Sequence, residues 1–255
     1  MTKLLNNWRL ALYPVAGIVV ILVVWQLYTD LFGVSQIVLP SPTDIWGAMV
    51  KNNSLLLRET WPTLLECIYG FALALALGIP IAVAVANSRT LNLILYPILI
   101  ATQSIPKVAV APIILIWFGI GMESKLAIAF LVAFFPIVVD TATGLRATPP
   151  GLIELARSLR ASPSQVFWKV QFPAALPFIF AGSKVAVTLA VIGAVIGEFV
   201  GSNEGLGNLL LTANSQLNSP LAWAALVWLS ALGIGLFVIV VIAEKIFMPW
   251  AEGGH

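Results

Sequence analysis

Long stretches without a single charged residue dominate this chain. One runs for 20 residues from Leu10 to Thr29, and another runs for 22 residues from Cys67 to Ser88. An α-helix needs about 20 mostly apolar residues to cross the hydrocarbon core of a bilayer, whereas a barrel strand needs about 10 in alternation. Because only helices and closed barrels satisfy their backbone groups in lipid, the runs predict an all-α integral membrane protein.

The composition narrows the function classes further. Hydrophobic residues make up 60% of the 255 residues and charged residues 9%, against about 45–50% and about 25% in soluble domains. A net charge of +2 is too small to indicate a nucleic-acid partner. The sequence has one cysteine, Cys67, and one histidine, His255, and this count excludes a His/Cys metal site and a Ser-His-Asp triad. The sequence contains no Gly-Lys pair, which excludes a Walker-type phosphate loop.

Six membrane spans are predicted, at about 12–29, 63–87, 92–118, 125–145, 176–200 and 221–248. The third is interrupted at 103–107 (QSIPK), where Pro106 cannot donate a backbone hydrogen bond. With the N-terminus inside, nine of the 13 Lys and Arg residues fall on the inner side and three on the outer side, while Lys107 falls at membrane depth. This bias satisfies the positive-inside rule and predicts that both termini are cytoplasmic.

The outer segment, about 31–60, carries the signal for a short helix. Within LPSPTDIWGAMV (39–50), Ser41 fits the N-cap, Pro42 the first helical position and Asp44 the positive end of the helix dipole. The apolar residues that would share one face are Ile45, Trp46, Met49 and Val50. This helix either lies at the outer membrane interface or is an ordinary loop helix.

The stretch 151–177 is much more polar than the apolar segments on either side of it. Its charged residues fall within sixteen positions: Glu154, Arg157, Arg160 and Lys169. Ser162 and Gln165 have the spacing of a capping box, so we predict a helix over about 150–160 and a second helix that begins at Pro163 and ends at Pro173. The first helix has one apolar face, formed by Leu152, Leu155, Ala156 and Leu159. The residues alone allow two interpretations, a solvated loop and a docking surface.

This stretch resembles the cytoplasmic loop of the permeases of binding-protein-dependent ABC importers. Their pattern is Glu-Ala-Ala, three residues, Gly, nine residues, and Ile-x-Leu-Pro. The positions that fall in register here are Glu154, Ala156, Val170 and Pro173, and those that depart are Leu155, Arg160 and Phe172. The glycine of the pattern resembles a left-handed helix-ending residue, a conformation that costs a residue with a side chain about 1 kcal/mol. Either Arg160 adopts that conformation, or the turn has a different shape in this chain.

The resemblance extends along nearly the whole chain and points to the nitrate, taurine and alkanesulfonate branch of these permeases. The matching stretches are LPSP (39–42), GFALALALGIP (70–80), SIPKVAVAPIILIWFGIG (104–121), FFPIVVDTATGL (134–145), PAALPFIFAG (173–182), GEFVGSNEGLG (197–207) and PW (249–250). Within the branch, residues 184–201 are similar to members that carry pyrimidine thiamine precursors or riboflavin-like compounds. The solute implied is therefore either a small anion or a heterocyclic vitamin precursor.

The resemblance implies a type I importer with a MetI-like permease fold, as a single transmembrane domain over 1–255 in the bacterial inner membrane. Two permease chains, expected to be a homodimer, would form the path, two cytosolic ATPase subunits would bind ATP and Mg, and an outer solute-binding protein would deliver the solute. This chain would carry no cofactor and perform no catalysis. The cytoplasmic loop, about 148–175, would couple to the ATPase. The residues implied in coupling are Glu154, Leu155, Ala156, Arg157, Leu159, Arg160, Ala161, Ser162 and Pro163.

Ionisable and polar residues at membrane depth are the candidates for the translocation path, because they are costly in lipid. They are Gln103, Ser104, Lys107, Asp140, Thr143 and Glu198. Lys107 is expected to pair with one of the acids, in the path or as a structural ion pair, or else to reach an interface. Glu66 is expected at an interface. The small-residue stripe around Thr188, formed by Gly182, Val185, Gly193 and Gly197, is expected to pack helices together, including at a dimer seam.

Two other function classes compete with the permease. A secondary transporter driven by an ion gradient would show paired broken helices in inverted repeats, and this sequence has one clear break. An intramembrane enzyme would need a catalytic dyad or a metal set, neither of which can be assembled from these residues. The ABC importer permease is therefore the favoured function.

Overall fold

The computed structural model describes residues 2–249, with side chains from residue 12 onward. The side chains of Lys3, Arg9, Trp250 and His255 lie outside this described part. In order along the chain, the elements are α1 (Thr2–Leu31), α2 (Pro42–Lys51), α3 (Asn53–Asn87), α4 (Arg89–Gln103), α5 (Lys107–Phe118), α6 (Met122–Arg146), α7 (Pro150–Ser158), α8 (Pro163–Val166), a π-helical turn (Phe167–Gln171), α9 (Phe172–Gly201), α10 (Leu206–Ser215) and α11 (Ser219–Phe247).

Five continuous helical stretches of the described chain are long and apolar enough to cross a membrane. They are Leu12–Leu31, Asn53–Asn87, Met122–Arg146, Pro163–Gly201 and Ser219–Phe247. The pair α4 and α5 makes a sixth span when the two helices are counted together. The predicted all-α membrane fold is confirmed, with the second span beginning ten residues earlier than the sequence indicated, at Asn53.

The third predicted span is sharply bent rather than straight. α4 and α5 meet at an angle of 102°, and at about 22 and 18 Å each is too short to cross a hydrocarbon core of about 30 Å alone. α4 starts beside the end of α6, where Arg146 donates to the Val85 carbonyl (3.2 Å) and to the Asn92 side chain. α5 ends beside the C-terminal end of α9, where Leu115 lies against Gly201. The broken pair therefore connects the two ends of the bundle.

Helix α6 lies at the centre, between α3 and α9, and glycines permit the close approach on both sides. A Cβ atom on Gly70 of α3 would lie 2.6 Å from the Ala129 Cβ, and one on Gly193 of α9 would lie 2.6 Å from the Ala129 Cα. Small residues let helix backbones pack closely in membranes, where no hydrophobic force drives helices together. Three glycines of the predicted stripe face α6 of the same chain: Gly182, Gly193 and Gly197. The expected helix packing by these glycines is confirmed within the chain, and a part of the stripe in a dimer seam stays a prediction.

The bundle has two different ends. One end, which we call the hairpin end, carries α7 and α8; the opposite end carries α2 and α10. At the opposite end, the predicted N-cap of α2 is confirmed, since Ser41 and Asp44 form a capping box. α1 lies at the periphery and is anchored near this end by Trp25, whose ring centroid lies 5.2 Å from that of Trp223.

Pro173 does not end the second loop helix, so that prediction is wrong. The chain stays helical from Pro163 to Gly201. A proline inside a helix removes one backbone hydrogen bond and its ring clashes with the carbonyl four residues earlier. The π-helical turn Phe167–Gln171 immediately precedes Pro173, and the Phe172 amide donates to the Phe167 carbonyl. This wider turn accommodates the ring without a break.

Replacing Gly193 by alanine is expected to destabilise the bundle by about 1–3 kcal/mol, because the added methyl group meets the α6 backbone and forces the helices apart. The matched control is Gly235→Ala on α11, where a Cβ atom meets nothing within 4 Å. Thermal unfolding of the purified chain in detergent measures both. An equal midpoint for the two variants would show that the α6–α9 contact tolerates the methyl group.

Candidate functional site

The hairpin between α7 and α8 is the first candidate site, and a capping box defines the start of α8. The predicted capping box is confirmed: the Gln165 amide donates to Ser162 Oγ (3.3 Å), and the Ser162 amide donates to Gln165 Oε1 (2.8 Å). Pro163 occupies the first turn of α8, where its missing N–H costs nothing. α8 therefore begins at the residue that the sequence indicated.

Arg160 adopts the left-handed conformation of the glycine that it replaces, with φ 59°. It follows the end of α7, where the Ala161 amide donates to the Ala156 carbonyl (3.0 Å) and the Arg160 amide donates to the Arg157 carbonyl (2.9 Å). These two bonds are those of a Schellman motif. The alternative that the turn has a different shape is thus excluded by the backbone geometry.

The two faces of α7 have different environments. The leucines Leu152, Leu155 and Leu159 are 48%, 57% and 75% exposed. On the other side, Arg157 and Ala161 line a cavity of about 510 Å³ between the hairpin and the end of α3. The apolar face of the hairpin is therefore free of the rest of the described chain.

Glu154 is exposed and makes no hydrogen bond or ion pair with the described residues. It is the fifth residue of α7, so it lies beyond the first turn of that helix. Its carboxylate is available to a partner, while Ala156 beside it is half-buried.

The break between α4 and α5 is the second candidate site. Gln103 and Ser104 are exposed, and the Lys107 ammonium donates to the Gln103 carbonyl (2.9 Å). Lys107 therefore caps the last turn of α4, whose carbonyl lacks a partner at a helix end. It makes no ion pair with a described acid, so the predicted pairing with Asp140 or Glu198 is wrong.

Two further predicted path residues lie on α6. Asp140 is half-buried and sits against Gly182 of α9. Thr143, one turn further, is exposed, and its hydroxyl donates to the Val139 carbonyl (2.8 Å) of its own helix. The structure thus places Asp140 and Thr143 on one helix, and it does not join them to Lys107 by a hydrogen bond or an ion pair.

A groove of about 660 Å³ opens between α5, α9, α10 and α11. Val108, next to Lys107 at the break, contributes to its wall. Thr188 of α9 and Ser230 of α11 supply its hydroxyl groups, and the remaining described lining residues are apolar. The groove therefore combines an apolar wall with two hydrogen-bonding side chains, the usual composition of a small-molecule site.

A buried cluster of charges lies where α3, α6 and α9 meet the start of α10; we call it the Glu–Lys cluster. Its members are Glu59, Thr63, Glu66, Lys125 and Glu198. The Lys125 ammonium lies 2.6 Å from Glu66 Oε1 and donates to Ser202 Oγ (3.0 Å). Glu66, Lys125 and Glu198 are 0%, 3% and 1% exposed.

The cluster corrects two sequence expectations, those for Glu66 and Glu198. Glu66 is fully buried rather than at an interface, and Lys125, counted among the outer cations, is its partner. Glu198 accepts from the Thr63 hydroxyl (2.6 Å) and from the Gly207 amide, so it is a structural anchor that lines no open path within the described chain. The available signal was the spacing of Glu59, Thr63 and Glu66, which places three polar residues on one face of a membrane helix.

Comparisons with known proteins agree with this architecture. The family described as "Binding-protein-dependent transport system inner membrane component" matches residues 74–251. The riboflavin transport system permease protein RibX of Chloroflexus aurantiacus is 40% identical over 246 residues, which cover 96% of this chain and 91% of that protein. The formylaminopyrimidine transport permease protein ThiX of Halalkalibacterium halodurans is 36% identical, with 95% and 97% covered.

A solved structure shares the fold. It is that of the MetNI methionine ABC transporter in an inward-facing conformation, with a TM-score of 0.66 and 25% identity, covering 75% of this chain and 95% of that chain. The predicted ABC importer permease is confirmed, and the alternative of a secondary transporter finds no support. The chain belongs to the family of inner-membrane components of binding-protein-dependent transport systems.

Proposed function

We propose that two copies of this chain form the path of an ATP-driven importer, with two cytosolic ATPase subunits and an outer solute-binding protein. The observation that carries the proposal is the hairpin, which combines an exposed apolar face with a Schellman turn at Arg160. In this arrangement the hairpin end and both termini face the cytosol of a bacterial cell. ATP and Mg bind to the ATPase subunits, and this chain catalyses no reaction.

The hairpin suits a docking surface better than a solvated loop. Leu155 and Leu159 expose most of their side chains, beside the free carboxylate of Glu154. A solvated loop gains nothing from exposed leucines, whereas burying one in a partner's cleft contributes about 1.5–3 kcal/mol. The coupling surface we propose consists of Glu154, Leu155, Ala156 and Leu159, and the turn 160–163 holds it in position.

The proposed path runs along the break and the adjoining groove. Gln103, Ser104 and Lys107 provide exposed polar groups at the break, and Val108 connects them to the groove. Irregular backbone at membrane depth is tolerated where it faces protein or a water-filled path. Asp140 and Thr143 remain in the proposal as path residues of α6, and Glu198 does not because it is buried.

We propose a heterocyclic solute of the pyrimidine or isoalloxazine kind rather than a small anion such as nitrate, taurine or a sulfonate. The groove's described lining contains no cation to offset the cost of removing an anion from water. Its volume and its two hydroxyl groups suit a flat ring that needs few hydrogen bonds. Among the relatives of this chain, two that are 40% and 36% identical are named for riboflavin and formylaminopyrimidine transport, which supports the same class.

Glu154→Lys is expected to weaken ATPase binding by about 2 kcal/mol, roughly 30-fold, because interface hot spots carry energies of this size. The measurement is co-purification of the ATPase with the chain, using two differently tagged copies of the permease. The second copy should co-purify with wild type and with the variant alike, since the spans are unchanged. The same charge reversal at Glu123, an exposed residue at the opposite end, is the matched control. Full recovery of the ATPase with both Glu154→Lys and Ala156→Asp would show that the hairpin is only a solvated loop.

Lys107→Ala is expected to lower solute uptake at least several-fold while ATPase binding stays unchanged. The change removes the cap of the α4 carbonyl and the positive charge at the break. Uptake into vesicles reconstituted with the complete transporter measures this, at matched protein content. Lys107→Arg, which keeps the charge and the donor, should retain most of the activity. Wild-type uptake by Lys107→Ala would show that the α4–α5 break does not line the path.

The solute class is tested with the same vesicles and the cognate solute-binding protein. Labelled riboflavin or formylaminopyrimidine should enter, and unlabelled taurine and nitrate should fail to compete. Thr188→Val, which removes a hydroxyl group from the groove but keeps its shape, should raise the KM for the accepted solute. Accumulation of a labelled sulfonate instead would contradict the proposed class and leave the importer function intact.

A further inference from the structure

Among the residues that the structure describes, two that are not glycine hold a left-handed backbone conformation. Arg160 has φ 59° and Leu217 has φ 57°. A side chain in this conformation crowds the neighbouring carbonyl oxygen, a cost that glycine avoids because it has no Cβ atom. A residue with a side chain persists there when its surroundings or its function compensate for the strain. The contacts of the side chain therefore show where the compensation lies.

The side chain of Arg160 has no compensating contact within the described chain. Its backbone amide donates to the Arg157 carbonyl (2.9 Å), whereas its guanidinium makes no hydrogen bond, ion pair or ring contact with a described residue. Arg160 is exposed, and it is not among the residues that line the cavity between the hairpin and the end of α3. All five N–H donors of the guanidinium are therefore available to a molecule outside this chain.

The hairpin carries more positive than negative charge around Arg160. Its charged residues are three cations and one acid, namely Arg157, Arg160, Lys169 and Glu154. All four are exposed, and none makes an ion pair with a described residue. Leu159, directly before Arg160, is 75% exposed. The turn thus presents an apolar side chain beside a surplus of positive charge, which favours a partner surface that is apolar and has an acidic edge.

We propose that Arg160 binds a carboxylate of the ATPase subunit, at the edge of the cleft that receives Leu155 and Leu159. This inference rests on the proposed function, in which the hairpin docks on that subunit. A guanidinium and a carboxylate form two parallel N–H···O bonds in one plane, so the pair is directional as well as strong. The contact compensates for the strained backbone of Arg160 and makes the fit depend on where the partner places its acid.

The turn presents the guanidinium from an ordered backbone. The Ala161 amide donates to the Ala156 carbonyl (3.0 Å), which closes the end of α7. The Ser162 amide donates to Gln165 Oε1 (2.8 Å), which fixes the start of α8. Arg160 lies between these two bonds. Because the backbone is already ordered on both sides, binding has to order only the side chain, which lowers the entropy cost of the contact.

The phosphates of the membrane are a second anionic surface near this end of the bundle, and other residues suit them better. Trp168 is 61% exposed, packs its ring against that of Phe172 (5.2 Å between centroids) and precedes the exposed Lys169. Exposed tryptophan and lysine side chains are typical of the headgroup level. These residues lie where the hairpin continues into α9, whereas Arg160 lies at the turn, beyond α8. Its position therefore favours a protein carboxylate over a lipid phosphate.

Leu217 supplies a matched comparison at the opposite end of the bundle. It follows α10, and its amide donates to the Asn214 carbonyl (3.0 Å), while the Asn218 amide donates to the Ala213 carbonyl (2.9 Å). These bonds have the same spacing along the chain as those around Arg160, so the two turns share one backbone geometry. Replacing either residue by glycine relieves the same strain, and only Arg160→Gly removes a guanidinium.

The experiment titrates the purified ATPase onto the full chain in nanodiscs of zwitterionic lipid and measures thermal unfolding of the same nanodiscs. Arg160→Gly is expected to bind the ATPase about tenfold more weakly, as for the loss of a hydrogen bond to a charged group, with a midpoint equal to or above that of wild type. Its affinity should also depend less on salt, because one ion pair fewer is screened. Leu217→Gly should bind the ATPase like wild type. Arg160→Lys, which keeps the charge without the fork, should lie between wild type and Arg160→Gly.

Wild-type affinity of Arg160→Gly overturns the proposal, as does an equal loss of affinity in Leu217→Gly. A lower unfolding midpoint for Arg160→Gly also contradicts it, because the side chain would then contribute within the chain. If Arg160→Gly loses affinity only in nanodiscs that contain phosphatidylglycerol, the guanidinium acts on lipid and the proposal is overturned. Glu154→Lys in the same titration tests the docking itself: a loss there beside wild-type binding by Arg160→Gly refutes the role of Arg160 and leaves the proposed function intact.

Discussion

Every backbone amide and carbonyl within a bilayer needs a partner inside the protein, and the architecture of this chain depends on how it meets that constraint. Where the helix stops at the α4–α5 break, the Lys107 ammonium binds the Gln103 carbonyl. Where α10 begins, Glu59, Thr63 and Glu198 receive its first amides. Charged and polar side chains thus stabilise the irregular points of the fold. An apolar side chain at such a point would leave a backbone group without this hydrogen-bond partner.

The hairpin and the Glu–Lys cluster lie at opposite ends of one helical stretch. The chain is helical without interruption from Pro163 to Gly201, because the π-helical turn accommodates Pro173. Glu198, close to the end of this stretch, holds the start of α10. Along its length α9 packs closely on α6 through glycines, at which an added Cβ atom would meet α6. One continuous helical stretch therefore joins the hairpin to the Glu–Lys cluster.

The sequence predicted the features whose partners are close along the chain. The capping boxes at Ser41 and Ser162 join residues three positions apart, so a short motif contains the whole interaction. The pair formed by Glu66 and Lys125 joins residues 59 positions apart, and only the packing of α3 on α6 brings them together. Hydropathy placed both near the ends of spans because it averages over a window and does not resolve a charge that a neighbouring helix neutralises. Pro173 failed as a helix stop for a related reason: a rule for regular α-helices does not foresee a π-helical turn.

The distribution of charge separates the buried Glu–Lys cluster from the groove that we propose as part of the path. Lys125, Glu66 and Glu198 are sequestered at one end with almost no exposed surface, whereas the groove beside the break is lined by described residues without charge. In the proposed path, a solute in the groove would meet apolar walls and two hydroxyl groups, and it would form no ionic contact with the described lining residues. Lys107, at the mouth of the break, remains half-exposed and uses one of its three donors on the α4 carbonyl. In the proposed path, the residue that caps the end of α4 would therefore have donors left for a passing solute.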